Sequence, residues 1–262
     1  MTKKIKNLSL AIVFWLIVWE ILAVIVNNQI LVVGPVETVK TLFRLVPTAD
    51  FAFSIGASFS RIMLGFLSGS LLGIVFAILA VRFEKFKIII SPFITMLKSI
   101  PVASFVILVI IWVGNGNISF IISLLVVMPI MYLSAEAGLS SIDIKMLEMA
   151  DVFHMPLLSR IRYIYYPGLY PFLCGGFKTA IGMSWKSGVA AEVIGQPLHS
   201  LGNNLYSSKI YLATDEVLAW TLVIVLLSWL CEKIFLFLLG LSGRRFTKKE
   251  VSPSKEDKEA LV

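Results

Sequence analysis

The sequence predicts an all-α membrane protein with six transmembrane helices. Three observations lead there. Of 262 residues, 58% are hydrophobic and 15% charged, with a mean hydropathy of +0.91, whereas a soluble domain is about 45–50% apolar and about 25% charged. The apolar residues gather in runs near the ~20 that a helix needs to cross a bilayer. The basic residues behind the net charge of +7 sit in short loops and tails. Orientation in a membrane accounts for them there without nucleic acid.

The first span, 8–26, follows Lys3, Lys4 and Lys6. It is longer than a signal-peptide core and no small-residue cleavage site follows, so it reads as an uncleaved anchor. Glu20 interrupts it; a carboxyl so placed faces a bundle interior or the interface. Residues 27–55 read as extramembrane. Within them, 36–46 is predicted to be an amphipathic interfacial helix, with Val39, Leu42, Phe43 and Val46 apolar and Lys40 and Arg44 reaching water. The second span, 56–81, carries Gly65, Gly69 and Gly73. This ridge of small residues admits a close neighbouring helix.

The third span, 88–113, is broken at Lys98-Ser99-Ile100-Pro101, because proline removes a backbone donor. Gly114-Asn115-Gly116-Asn117 is a tight turn, and the fourth span is 118–133. The fifth, 168–194, holds Lys186 and Glu192; residues 196–215 return to water; the sixth is 217–239. The rest, 241–262, is basic and rich in Ser, Pro and acids, the composition of a disordered tail. Cys174 and Cys231 lie in apolar runs, where inert thiols are the expectation. His154 and His199 lack ligand spacing, so no metal site is expected. Trp112 and Trp185 read as packing or interface anchors.

Between the fourth and fifth spans lies the longest polar interruption, 142–171. Asp143 can cap a short helix in which Ile144, Leu147 and Ala150 recur at helical spacing. Pro156 ends it, and a second short helix is predicted from Leu157 to Tyr165, stopping near Pro167. With the N-terminus inside, Lys3, Lys4, Lys6, Arg82, Lys85, Lys87, Lys145, Arg160, Arg162 and six tail bases fall on the cytoplasmic side. Lys40, Arg44, Lys209 and Arg61 fall outside. This bias places both termini and the 142–171 loop in the cytoplasm.

In that loop, Glu148-Met149-Ala150, three residues, His154, nine residues, Ile164, one residue and Tyr166-Pro167 resemble the E-A-A-x3-G-x9-I-x-L-P signature of the membrane subunits of ATP-binding-cassette importers. The spacing matches throughout. Met149, His154 and Tyr166 replace Ala, Gly and Leu, and His is among the non-glycine residues enriched at positive φ. Further pieces resemble the nitrate, sulfonate and taurine branch: residues 34–39, Ser60-Arg61 with Leu64-Gly65-Phe66, Lys98-Ser99-Ile100-Pro101, Trp112-Val113-Gly114, and 190–195. The resemblance covers roughly residues 30–240.

The resemblance implies a type I importer permease fold, with a permease domain over 8–240, a cytoplasmic tail at 1–7 and a cytoplasmic coupling helix in 141–167 between spans four and five. It implies a homodimer in a bacterial inner membrane, working with two cytoplasmic ATPase subunits and an extracytoplasmic substrate-binding protein. Coupling residues carried over are Leu147, Glu148, Ala150, Asp151, Phe153, His154, Ile164 and Pro167. Leu147, Phe153 and Met155 are expected to form an apolar plug rimmed by Arg160 and Arg162. The chain has no Gly-x4-Gly-Lys-Ser/Thr phosphate loop, so ATP and magnesium belong to the partner and no cofactor is expected here. Lys98, Pro101, Lys186 and Glu192 are candidates for the translocation path of a small anion; the alternative for Lys186 is internal pairing with Glu20 or Glu192. A vitamin precursor or aromatic acid is the other substrate reading within the fold. A secondary transporter or channel would need no docking loop and would usually show paired repeats of broken helices. A membrane enzyme would need convergent acids, histidines or a metal set, which the sequence lacks.

Overall fold

A computed structural model of the chain describes residues 2–28 and 30–247 and is all-helical there. The expected disordered tail falls mainly on 248–262, outside the described residues. Its beginning is a correction: α11 runs Thr214–Thr247, past the expected end at 239. No proline interrupts that stretch, so the helix continues.

Helix α1 spans Thr2–Val26 and α2 Pro35–Leu45. Proline fits at the start of α2, where its missing N–H is unneeded, and Glu37 and Arg44 sit at the ends that the helix dipole favours. The helix lies unlike one in a soluble protein. It buries Thr38 and Thr41 and leaves Val36 and Phe43 57% and 72% exposed. Thr41 donates to Asp215 at 2.8 Å, and Arg44 reaches Asp215 and Glu216 at 3.4 and 3.3 Å. The polar side is therefore held by the protein and the apolar side is left for lipid.

Helix α3 spans Ala49–Arg82, starting seven residues before the expected Gly56. Its 34 residues measure ~51 Å at 1.5 Å each. Helix α4 spans Glu84–Ser99 and α5 Val102–Val113. Between them Ile100 and Pro101 are extended, with ψ of 130° and 134°, which is the break expected at this proline. Helix α6 spans Ile118–Ser140, α7 Ile144–Val152 and α8 Leu157–Arg160. A π-helical turn, Ile161–Tyr165, leads directly into α9, Tyr166–Gly195. The helix expected to stop near Pro167 thus runs on. In the π turn Tyr166 N–H bonds Ile161 O, so the regular ladder is already interrupted where proline arrives, and its missing donor costs little. Helix α10, Leu201–Ile210, was not expected; the Ser200 hydroxyl caps it by accepting from Asn203 N–H at 3.1 Å.

Among the described residues three helices are long and apolar enough to cross a bilayer alone: Ala49–Arg82, Ile118–Ser140 and Thr214–Gly240. The broken pair α4 and α5 qualifies as a fourth if taken as one span.

The helices form two compact units. The first takes the chain up to Met63, Pro101–Ile122 and Lys186–Leu227. At its centre Glu192 is fully buried, accepting from Ser58 Oγ at 2.7 Å, Ser119 Oγ at 2.9 Å and Gly202 N–H at 3.3 Å. Ser58 in turn accepts from Leu201 N–H at 2.9 Å. One carboxylate therefore joins α3, α6, α9 and the start of α10.

The second unit takes Leu64–Ile100, Ser123–Trp185 and the chain from Ser228. Its α3 and α6 pack backbone to backbone. A Cβ added at Gly69 would stand 2.7 Å from Leu124 O, and one at Gly73 would stand 2.5 Å from Met128 O. The small-residue ridge is thus filled by α6. Phe66, Phe177 and Phe235 form an aromatic cluster with centroids 5.0 to 6.1 Å apart. Each such pair contributes about 0.5–1.5 kcal/mol beyond area burial. Trp185 lies in this core, whereas Trp112 of the first unit is 73% exposed.

Candidate functional site

The elbow between α6 and α9 belongs wholly to the second unit. The Asp143 carboxylate caps α7, accepting from Lys145 N–H at 2.9 Å. The other end closes with a left-handed residue. His154 has φ +50°, its N–H reaches Asp151 O at 3.0 Å, and Met155 N–H reaches Ala150 O at 2.8 Å. This paired closure is the Schellman motif, usually completed by glycine. A Cβ-bearing residue there costs on the order of 1–2 kcal/mol. Pro156 follows in extended conformation and starts α8.

Arg160 crosses back over the turn. Its Nε donates to Met155 O at 2.8 Å, its Nη2 to Ala150 O at 3.2 Å, and its Nη1 to the Asp151 carboxylate. Its side chain is only 25% exposed. The expectation that Arg160 forms a solvated rim is therefore corrected: with three acceptors in reach, the guanidinium folds inward. Arg162 stays exposed.

Ala150 and Ile164 are buried and root the elbow in the unit. Asp151, Phe153, His154 and Pro167 are exposed, and Leu147 and Met155 are half-buried. The apolar tip is therefore made by Phe153 with Val152, Leu157 and Leu158, each at least 71% exposed, and less by Leu147 and Met155. Leu157-Leu158 was legible as an apolar pair in a polar loop and was passed over. Glu148 is exposed and makes no hydrogen bond among the described residues. Its carboxylate is left for another molecule.

The other candidates fall on other helices. Lys98 is exposed in the last turn of α4, Pro101 is exposed ahead of α5, and Lys186 is exposed on α9. Neither lysine has an ion pair within 4 Å among the described residues. Pairing of Lys186 with Glu20 or Glu192 is thus not formed. The hydroxyls of Ser58 and Ser119 and the Gly202 N–H take up the Glu192 carboxylate. Glu20 is packed on Gly34, where an added Cβ would meet its Oε2 at 2.6 Å. Glu192, a path candidate, is 0% exposed and lines no surface of this chain. Among the described residues no group of three or more His, Cys, Asp or Glu side chains could hold a metal ion.

The elbow thus combines an exposed apolar tip, a turn bridged by Arg160 and the exposed Glu148 carboxylate. Residues 69–248, well over half of the chain, match the family described as binding-protein-dependent transport system inner membrane component. The chain belongs to this family. It is therefore a translocation subunit of a binding-protein-dependent importer. Among its relatives is the taurine transport system permease protein TauC of Escherichia coli (strain K12), 26% identical over 237 residues that cover 88% of this chain and 85% of TauC. The putative aliphatic sulfonates transport permease protein SsuC of Bacillus subtilis (strain 168) is 24% identical over 82% of this chain and 78% of its own length. The nitrate import permease protein NrtB of Synechocystis sp. is 23% identical over 73% and 72%. A solved amino acid ABC transporter with histidines superposes with a TM-score of 0.55 over 81% of this chain and 99% of that one, at 20% identity, so the fold is shared.

Proposed function

We propose that this chain lines the path of an ATP-driven importer for a small sulfonate-, taurine- or nitrate-like anion, and that force reaches it through the elbow. The importer is a homodimer of this chain with two cytoplasmic ATPase subunits, which hold the ATP and magnesium, and an external binding protein. Six crossings follow if α1, α3, the broken α4–α5 pair, α6, α9 and α11 each traverse the bilayer. The positive-inside bias then puts both termini and the elbow in the cytoplasm. The observation that carries this reading is the elbow itself: signature spacing, an exposed apolar tip and an unengaged Glu148.

Glu148→Lys reverses the charge of an exposed loop carboxylate, and a lysine set against a cationic donor site that receives a carboxylate costs several kcal/mol. The expected result is loss of ATPase co-purification and of uptake, with unchanged abundance in the membrane. Normal uptake and ATPase capture by the variant would refute the assignment.

For the solute, two considerations agree. Relatives are named for taurine, aliphatic sulfonates and nitrate. Lys98 and Lys186 stand exposed with no ion pair among the described residues, and a charge at mid-bilayer costs ~2.5–3.5 kcal/mol unless water or protein covers it. A lysine that faces a wet path in the assembly escapes that cost, and there it attracts an anion. Lys186→Met is expected to reduce uptake of the anion at least tenfold, about 1.4 kcal/mol. Unchanged uptake of taurine, an alkanesulfonate and nitrate would remove Lys186 from the path.

A further inference from the structure

We infer that Arg160 is the positioning residue of the elbow, holding α7 and α8 at a fixed angle across a turn that His154, in place of glycine, leaves strained. This rests on the elbow reading above and adds a component to it.

Helix α8 runs through the π turn into α9, which sets its direction, whereas α7 joins it through the short turn at 153–156. Beyond the backbone bonds of that turn, the Arg160 side chain ties α8 to α7. The Arg160 fork spans the turn, engaging the Ala150 carbonyl near the end of α7, the Met155 carbonyl just beyond it and the Asp151 carboxylate on α7. Ala150 O already accepts Met155 N–H, so the guanidinium reinforces the bond that closes the turn. That turn holds a Cβ-bearing residue at φ +50°, where relaxation would swing the tip formed by Phe153, Leu157 and Leu158. A planar guanidinium can hold three acceptors in one plane; an ammonium on a flexible stem cannot.

The test pairs Arg160→Ala with His154→Gly in full-length permease, co-purified with its ATPase and reconstituted in liposomes with the binding protein. Arg160→Ala is expected to cut the maximal rate of ATP-dependent uptake about tenfold while leaving the half-saturating solute concentration unchanged, because solute is bound elsewhere. Arg160→Lys should recover less than half of the loss. In the double variant, glycine removes the strain, and uptake should return to within about twofold of wild type, a coupling that independent sites would not give. A second measurement needs no ATPase. Spin labels at Lys145 and Leu158 of the permease in nanodiscs should give a broad distance distribution for Arg160→Ala, narrowing again in the double variant.

Wild-type capture and coupling, with Arg160→Ala coupling equally well, would overturn this proposal alone. So would a double variant no better than Arg160→Ala in both measurements. Failure of wild type to capture any ATPase would overturn the elbow reading and this proposal with it.

Discussion

Phe153→Asp is expected to uncouple the importer while the permease stays folded in the membrane. The ring is 75% exposed at the tip of the elbow, so its loss subtracts little from the chain's own packing, within about 0.5 kcal/mol for a surface change of this kind. In a docked complex, burying a phenylalanine contributes ~1.5–3 kcal/mol. Forcing an unpaired carboxylate into the vacated pocket adds a desolvation penalty. Together they weaken docking by two to three orders of magnitude, at about 1.4 kcal/mol per tenfold. Pull-down of the ATPase by tagged permease, with ATP-dependent uptake in proteoliposomes, reads both. Undiminished pull-down would place the docking surface elsewhere on the chain.

Glu192→Ala is expected to have the largest effect on stability. It leaves the Ser58 and Ser119 hydroxyls and the Gly202 N–H without their acceptor in a fully buried site. Each orphaned buried donor costs about 1–3 kcal/mol. A total of roughly 3 kcal/mol would lower the thermal midpoint in detergent by roughly 10 °C. Glu192→Gln should be far milder. Its amide oxygen can take the place of Oε2, which accepts from Ser58 and Gly202, and its NH2 can donate to Ser119, whose hydroxyl accepts as readily as it donates. Equal destabilisation by Ala and Gln would mean that the negative charge, not the hydrogen-bond set, is what the site requires.

Local chemistry made several features readable from residues alone. The Asp143 cap, the break at Pro101, the close approach along Gly69 and Gly73 and the helix after Pro35 each follow from one or two residues with a strong preference, whereas the positive φ at His154 was expected from the family resemblance, whose signature has glycine there. Features that depend on partners distant in sequence were opaque. Helix α10 hid because Gly202-Asn203-Asn204 reads as a turn, and only its Ser200 cap and burial against Ser58 and Glu192 commit it to a helix. The inward Thr41 of α2 depends on Asp215, more than 170 positions away. In the elbow, the family resemblance pointed to Ala150 and Ile164, which are buried, and to Phe153, which is exposed. It could not foresee that Arg160 folds back onto its own turn, because charge in a loop normally points to water. The partners of Glu192 were opaque for a related reason: a carboxyl in a span reads as functional, and the hydroxyls that meet it come from distant positions 58 and 119.

The central claim is that the chain is a gate moved from the cytoplasmic side through one protruding elbow. Inside-out and right-side-out proteoliposomes carrying a single cysteine at Phe153 test it most directly, when labelled with an impermeant maleimide with and without the ATPase. The account predicts labelling from the cytoplasmic face only and protection once the ATPase is added. Labelling from the opposite face, or a rate indifferent to the ATPase, would contradict it.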